Sequence, residues 1–305
     1  MKEVAVRVPS GTYAAIDFGG SGPDVLLIHQ IASSAQVWAT LGPELAAVAH
    51  PVAIDLCGHG LTRVVEESIT RLVDDLGAVV DALGLTHPLV VVESEELLSL
   101  LGDQAGRHGA RGFLVVGPFT SRRGKAAQRE YEDILGIASL ADWDQRNDMF
   151  VSGSDEQREA FVEKRVALAR ADWVNEPVSE HQLRTYVQRQ IRDTPDGWER
   201  VPRRPLVEQA LEMIGRGPYG LDLYDRLPLP VWLAVGARTV RDAEVNRFAR
   251  WAEERGSARV AFLPGYDAPD SFEPAAFARF VGEMLAAIES APDSPPDPTI
   301  ARRNA

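Results

Sequence analysis

The residues best suited to chemistry stand in three places along the chain. Val92-Glu93-Ser94-Glu95-Glu96 sets one hydroxyl among three carboxylates at the end of an apolar run. A serine nucleophile there would become an anion beside negative charge, and like-charge repulsion makes both the alkoxide and an anionic intermediate costly. Ser94 reads more simply as a cap for a helix opening at Glu95, with the glutamates matching the positive end of the helix dipole. The carboxylates offer other chemistry, because Glu93, Glu95 or Glu96 crowded by like charge can act as a general base. His29-Gln30 and His59 follow two other apolar runs and are acid or base candidates. Asp267 and Asp270 lie late in the chain, in a loop expected to border the same site. No H-x-x-x-H or H-E-x-x-H spacing is present, so no metal site is expected. Gly19-Gly20-Ser21-Gly22 reads as a hairpin turn and not a phosphate loop, since no helix and no Lys-Ser/Thr follow it. No cofactor is expected.

These residues need elements to position them, and the chain has ample length for that. It has 305 residues, 45% of them hydrophobic and 25% charged, the balance of a soluble globular protein. Its net charge of −13 argues against nucleic acid and anionic membrane as partners and favours a neutral or cationic ligand. Cys57 is the single cysteine, which excludes an internal disulfide framework and implies a cytoplasmic protein. The start MKEVAVRVPSG lacks the apolar stretch of a signal peptide. Runs such as that from Pro88 or Val231 fall far short of the roughly 20 residues of a membrane helix.

Short apolar runs alternate with helical spacing in two regions. In the first, strands are expected at Glu3–Val8, Tyr13–Phe18, Asp24–His29, Pro51–Asp55, Pro88–Val92 and Gly112–Val116. Helices are expected at Gln36–Ala49, Ser68–Leu83 and Glu95–Arg107. The second region repeats the rhythm with strands Pro230–Val235 and Ala258–Leu263 and helices Arg241–Glu254 and Glu273–Ile288. Strands separated by helices imply a mostly parallel sheet covered on both faces, an α/β fold. Its ligand site belongs at the carboxyl ends of the strands, in the loops after Ile28, Val92, Val116, Val235 and Leu263. Between about Phe119 and Leu227 no convincing strand is found, so this stretch reads as a helical insertion. The expected division is a core of residues 1–118 and 228–290, a helical cap of 119–227 and a disordered tail of 291–305.

The segments VLLIHQIASSAQVW (25–38), VAIDLCGHGLTR (52–63), LVDDLGAVVDALGL (72–85), LVVVESEELLSLL (89–101) and FLPGYDAPDSFEPAAF (262–277) resemble, in order and spacing, the α/β-hydrolase superfamily. The resemblance covers about two-thirds of the chain and implies that residues 119–227 stand where the family inserts a cap. It puts Ser94 at the nucleophile position, but the two glycines of G-x-S-x-G are replaced by Val92 and Glu96. It puts Asp267 where the family has its catalytic histidine, and no histidine follows His181. Thr239 takes the place of the orienting acid, with Asp242 a displaced alternative. His29-Gln30 replaces the family's His-Gly, and the resemblance implies that the N–H groups of Ile31 and Glu95 face the pocket as an anion hole. In the family, His29 and His59 would orient loops. The chain is thus identified as an atypical member with a degenerate triad, similar in kind to the peptide epimerase of bottromycin biosynthesis.

The activity this implies is proton abstraction without hydrolysis, an epimerase or isomerase acting on a bulky, modified-peptide-like intermediate in bacterial natural-product biosynthesis. Asp267 and Glu95 are the expected proton-transfer residues, with the substrate's own carboxylate as an alternative base. His29, Gln30, Ile31, Trp38, Ser94, Trp143, Trp173 and Thr239 are the expected substrate-binding residues; Trp38 is equally suited to the core. A ligand-binding or carrier protein and a hydrolase with a rearranged site are the alternatives.

Overall fold

The computed structural model describes residues 1–93, 95–98, 101, 109–117, 120–135, 140–172, 175–238, 241–256, 258–264 and 273–290. The tail 291–305 lies outside them.

Strands β1 (Lys2–Val8) and β2 (Gly11–Asp17) form an antiparallel pair. Then come β3 (Asp24–Ile28), β4 (His50–Ile54), the short β5 (Arg63–Val64), β6 (Leu89–Val92) and β7 (Gly112–Val116). The sheet order is β1-β2-β4-β3-β6-β7, continued by β11 (Val231–Gly236) and β12 (Ala258–Leu263), with β5 paired off the side of β2. From β4 to β12 every neighbouring pair is parallel. These strands read as unbroken apolar runs because both of their faces are covered. Leu26, Ile28, Val90, Val92, Phe113 and Val115 pack on one side, and Val25, Leu27, Leu89, Val91, Leu114 and Val116 on the other.

Helix α2 (Ile69–Leu83) covers the first face with Ile69, Val73, Leu76, Val79 and Val80. Ser68 caps it by accepting the Arg71 N–H at 3.3 Å, and Gly84 ends it in the left-handed conformation. Replacing Ser68 by alanine is expected to cost about 1 kcal/mol in urea unfolding, the usual worth of such a cap.

Three local expectations change. The stretch Gln36–Ala49 is not one helix but a 3₁₀ turn (Ala35–Ala39) followed by a short α1 (Leu41–Leu45). Pro43 has no N–H to continue a helical ladder from upstream, and it is tolerated only in the first turn of a new helix. Gly19–Gly22 does not close a hairpin, because β4 lies between β2 and β3. Gly20, at φ +97°, packs so tightly against the carbonyls of Ala46 and Ala49 that a side chain would collide with them. Of the helix expected over 95–107, the described part is a 3₁₀ turn at Glu95–Leu97 and helical Leu98 and Leu101.

The segment joining β7 to β11 holds helices α3 (Gly124–Leu135), α4 (Leu140–Asn147), α5 (Asp155–Ala171), α6 (Glu180–Arg189), α7 (Arg204–Ile214) and α8 (Leu221–Arg226). It also contains a three-stranded antiparallel sheet of β8 (Ser152–Gly153), β10 (Gly197–Arg200) and β9 (Ile191–Thr194), where no strand was expected. Pro195-Asp196-Gly197, which joins β9 to β10, is a turn signal of ordinary strength. It is easily passed over because the flanking strands are only four residues long. Phe161, Val162, Val166, Leu183, Val187, Ile191 and Trp198 give this insertion an apolar cluster of its own. The chain ends in α9 (Asp242–Arg255) and α10 (Pro274–Ser290).

Candidate active site

The loop after β4 carries Asp55-Leu56-Cys57-Gly58-His59-Gly60, and its acid is fully buried. Asp55 accepts the Ala35 N–H at 2.8 Å on Oδ1 and the Leu61 N–H at 2.8 Å on Oδ2. The Nε–H of Arg189, at the end of α6, reaches both oxygens at 3.1 and 3.0 Å. Arg189 also meets Glu3 at 2.6 Å. Burial alone would lower the Arg189 guanidinium, but the charges of Asp55 and Glu3 hold it above its ordinary value. Gly60, at φ +47°, turns directly over the Asp55 carboxylate, where any side chain would run into it.

Two neutral histidines lock the same loop to the one after β3. His29 donates from Nδ1 to the Gln30 carbonyl (2.7 Å) and accepts the Leu56 N–H at Nε2 (3.1 Å). His59 donates from Nδ1 to the Cys57 carbonyl (2.8 Å) and accepts the Ala32 N–H at Nε2 (3.1 Å). Their rings lie 5.1 Å apart and neither has solvent exposure. Burial lowers each pKa to about 3; for His59 the neighbouring His29 adds to the effect. With every ring nitrogen engaged, both hold loops in place, as the resemblance implied. In the unfolded chain these histidines take up protons below about pH 6.5, whereas in the native state they stay neutral down to about pH 3. Stability therefore falls as pH drops through that window. Between pH 7 and pH 5, above the range of ordinary carboxylates, the loss is expected to be about 2 kcal/mol per histidine, about 4 in all. Urea unfolding at the two pH values measures it, and a difference below about 1 kcal/mol would sink this account.

The turn Gln30-Ile31-Ala32-Ser33 sits on this lock. It is closed by the Ser33 N–H on the Gln30 carbonyl at 3.2 Å, with Ala32 at φ +66°, a strained value for a residue bearing a Cβ. The outcome is a buried Ile31 whose N–H has no hydrogen-bond partner among the described residues. Beside it, the half-buried Glu93 follows the last residue of β6. Its carboxylate accepts the Gln30 N–H at 3.1 Å and the Gln30 side-chain amide at 3.3 Å. From α6, the Tyr186 hydroxyl donates to Ser33 Oγ at 3.3 Å. Burial holds that hydroxyl above its ordinary pKa, with the nearby Glu93 charge acting the same way.

No protein-family model matches the sequence, and no curated protein matches it. Solved structures do resemble it. The E-2-(acetamidomethylene)succinate hydrolase superposes with a TM-score of 0.67 at 16% identity, covering 94% of this chain and 99% of that one. The thioesterase domain from the curacin biosynthetic pathway gives 0.61 at 18% identity, over 92% and 98% of the two chains. A loop variant of the haloalkane dehalogenase DbeA from Bradyrhizobium elkanii gives 0.52 at 20%, over 95% and 98%. The chain has the α/β-hydrolase fold. At these identities the likeness speaks for fold alone.

Within the α/β-hydrolase frame, Gln30, Ile31 and Glu93 come together at the carboxyl ends of β3 and β6. Glu95 is placed differently from the expectation of a proton acceptor in a pocket. It is 1% exposed, receives the Tyr224 hydroxyl, and has the Gly220 N–H 3.4 Å from Oε1. These contacts tie the turn after β6 to the end of the insertion. Trp38 has no exposure and packs with Phe18, Leu41 and Phe277, so it belongs to the core and not to a pocket. Ser94, Trp173, Thr239 and Asp267 lie outside the described residues, as does the side chain of Trp143. Arg122, Arg123, Arg203 and Arg204 pair with Glu130, Asp222 and Asp225, Glu199, and Asp144, all within the insertion. Among the described residues, ion pairs cross to the core at Arg189 with Asp55 and Glu3, at Arg192 with Glu67 (2.6 Å), at Asp225 with Arg255 (3.4 Å) and at Glu130 with Arg241 (3.9 Å). Among the described residues no cluster of His, Cys, Asp and Glu is arranged to hold a metal, and no helix is long and apolar enough to cross a membrane.

Arg189 and Arg200 were not singled out in the sequence, and Tyr186 only as one of the aromatic residues of the insertion. Arg200 is buried and held by the Gln190 side chain (2.8 Å) and the Asp148 carbonyl (3.1 Å). Burial lowers it to about 10, and the neighbouring Arg165 charge acts in the same direction. Tyr and Arg on an amphipathic helix carry no signal of which core loop they will meet, so only docking of the insertion identifies them.

Proposed function

We propose that this chain is a non-hydrolytic α/β-hydrolase-fold enzyme, an epimerase or isomerase. It removes a carbon-bound proton from a bulky, modified-peptide-like intermediate of bacterial natural-product biosynthesis, a role of the bottromycin-epimerase kind. The observation that carries the reading is the Glu93 carboxylate, held by two donors of Gln30 beside the Ile31 N–H, which has no partner among the described residues. Glu93 takes the proton from a carbon next to a thiazoline or similar sink. The electron pair moves onto the sink, whose heteroatom is stabilised by the Ile31 N–H. A solvent proton delivered to the opposite face completes inversion, and Glu93 releases the proton it took to water. The absence of any histidine after His181 supports the reading against a Ser-His-Asp route, because a serine would lack its base.

The test is incubation of the enzyme with a thiazoline-bearing peptide in deuterium oxide, followed by mass spectrometry. Uptake of one deuterium at carbon is expected. Tight binding without uptake would make the protein a receptor or carrier. Turnover of chromogenic esters that Ser94→Ala abolishes would return it to the hydrolases.

A further inference from the structure

A second concavity of about 330 Å³ lies between α9 and the two ends of the insertion, and nothing in the proposed reaction uses it. Arg122, Arg123, Arg247 and Arg250 line it together with Ser121 and Trp251, against the single carboxylate of Glu254. That is an unusual convergence in a chain of net charge −13. Arg122 and Arg123 are paired on their outer sides with Glu130, Asp222 and Asp225. Arg247 donates its Nε–H to the buried Ser121 hydroxyl at 2.8 Å, which fixes the guanidinium, and pairs at 3.9 Å with Glu244 one turn earlier on its own helix. Arg250, three residues on along the same helix, makes no hydrogen bond or ion pair among the described residues. Like charges at this helical spacing repel, and an anion between them removes the repulsion.

We propose that this cleft binds the phosphate groups of an organic phosphate of about nucleotide size. Guanidinium forks match phosphate oxygens two at a time, and four of them approaching from a loop and a helix suit a multiply charged group better than a single carboxylate. The volume exceeds the need of a bare phosphate and falls at the lower end of ligand pockets, roughly 300–1,000 Å³. The edges of Trp251 and Leu221, 2% and 4% exposed, are the apolar part of its lining. The cleft also touches the machinery of the fold. Trp251 packs on Tyr224 with ring centroids 5.6 Å apart, and the Tyr224 hydroxyl donates to Glu95. Asp225 joins the Trp251 indole N–H (2.8 Å) to Arg123 (2.6 Å). A ligand here clamps both ends of the insertion against α9.

Calorimetric titration of the full chain with pyrophosphate, adenosine diphosphate and adenosine tests this, whether or not proton abstraction is the reaction. Pyrophosphate and the diphosphate are expected to bind and to raise Tm, and adenosine is not. Equal affinity for the first two assigns the site to phosphate alone; tighter binding of the diphosphate adds the apolar lining. Arg250→Ala removes an exposed side chain without partners and leaves the fold intact; it is expected to weaken binding about 10-fold, and Arg247→Glu with Arg250→Glu at least about 30-fold. Arg129→Glu, on the exposed surface of α3, is the charge control and is expected to leave affinity unchanged. The proposal falls if neither phosphate ligand binds at about millimolar concentration, if adenosine binds as well, or if the control weakens binding as much as Arg250→Ala.

Discussion

Replacing Glu93 by glutamine is expected to slow uptake of solvent deuterium into the peptide by about 10²–10⁴-fold, the usual contribution of a positioned general base. The substitution keeps size and shape, and the glutamine carbonyl still accepts the Gln30 N–H that the carboxylate accepts now. What is lost is basicity. Thermal stability is expected to stay within about 0.5 kcal/mol of the wild type, because the side chain is half-buried at the surface of a loop. Binding of the unreacted peptide should persist, so the loss falls on kcat and not on KM. Exchange at an unchanged rate would remove Glu93 from the chemistry. A loss accompanied by unfolding would point to a structural role, and Glu93→Asp, which keeps the charge, separates the two by restoring part of the rate only if the carboxylate acts as base.

Arg189→Met is expected to destabilise the protein by about 3–5 kcal/mol, the usual cost of stranding one partner of a buried ion pair. Asp55 would keep the N–H groups of Ala35 and Leu61 but lose the guanidinium that pairs with it, at a position with no exposure to water. Roughly 6–15 °C in Tm corresponds to that loss. The effect extends to the site, since Asp55 anchors the segment at Ala35 that continues from the Ile31 turn. Asp55→Asn combined with Arg189→Met should recover part of the stability, because a neutral amide is cheaper to bury than an unpaired carboxylate, although its NH2 then faces the N–H of Ala35 or of Leu61. A single Arg189→Met variant within about 1 kcal/mol of the wild type would show that the pair contributes little.

How much of this was legible beforehand differs from element to element. The apolar runs at 24–28, 89–92, 112–116 and 231–236 read correctly as buried parallel strands, because burial on both faces forces every residue to be apolar. The helix over 69–83 was equally plain from its spacing. The insertion was legible as an interruption but not as a partly β structure. Its strands are short, and their exposed positions dilute the pattern. At the site, His29 and His59 were visible as residues but their inertness was not, since a histidine's pKa depends on burial that only packing sets. Glu93 and Glu95 are two residues apart and chemically alike. One turns toward Gln30 and the other inward to Tyr224, a difference that backbone direction after β6 decides.

The sequence by itself determined the α/β layering, the order of strands and helices, and the crowding of carboxylates where a hydrolase would keep glycine. Those properties are written in local periodicity and residue type. Only the tertiary structure decided which carboxylate meets Gln30 beside the Ile31 turn, and which arginine of the insertion neutralises Asp55. It also decided that two pairs of arginines, far from each other in sequence, meet at one cleft. Each of these is a contact between segments far apart in the chain, fixed by how the insertion docks and by the desolvation that follows, and neither leaves a periodic trace in the residues themselves.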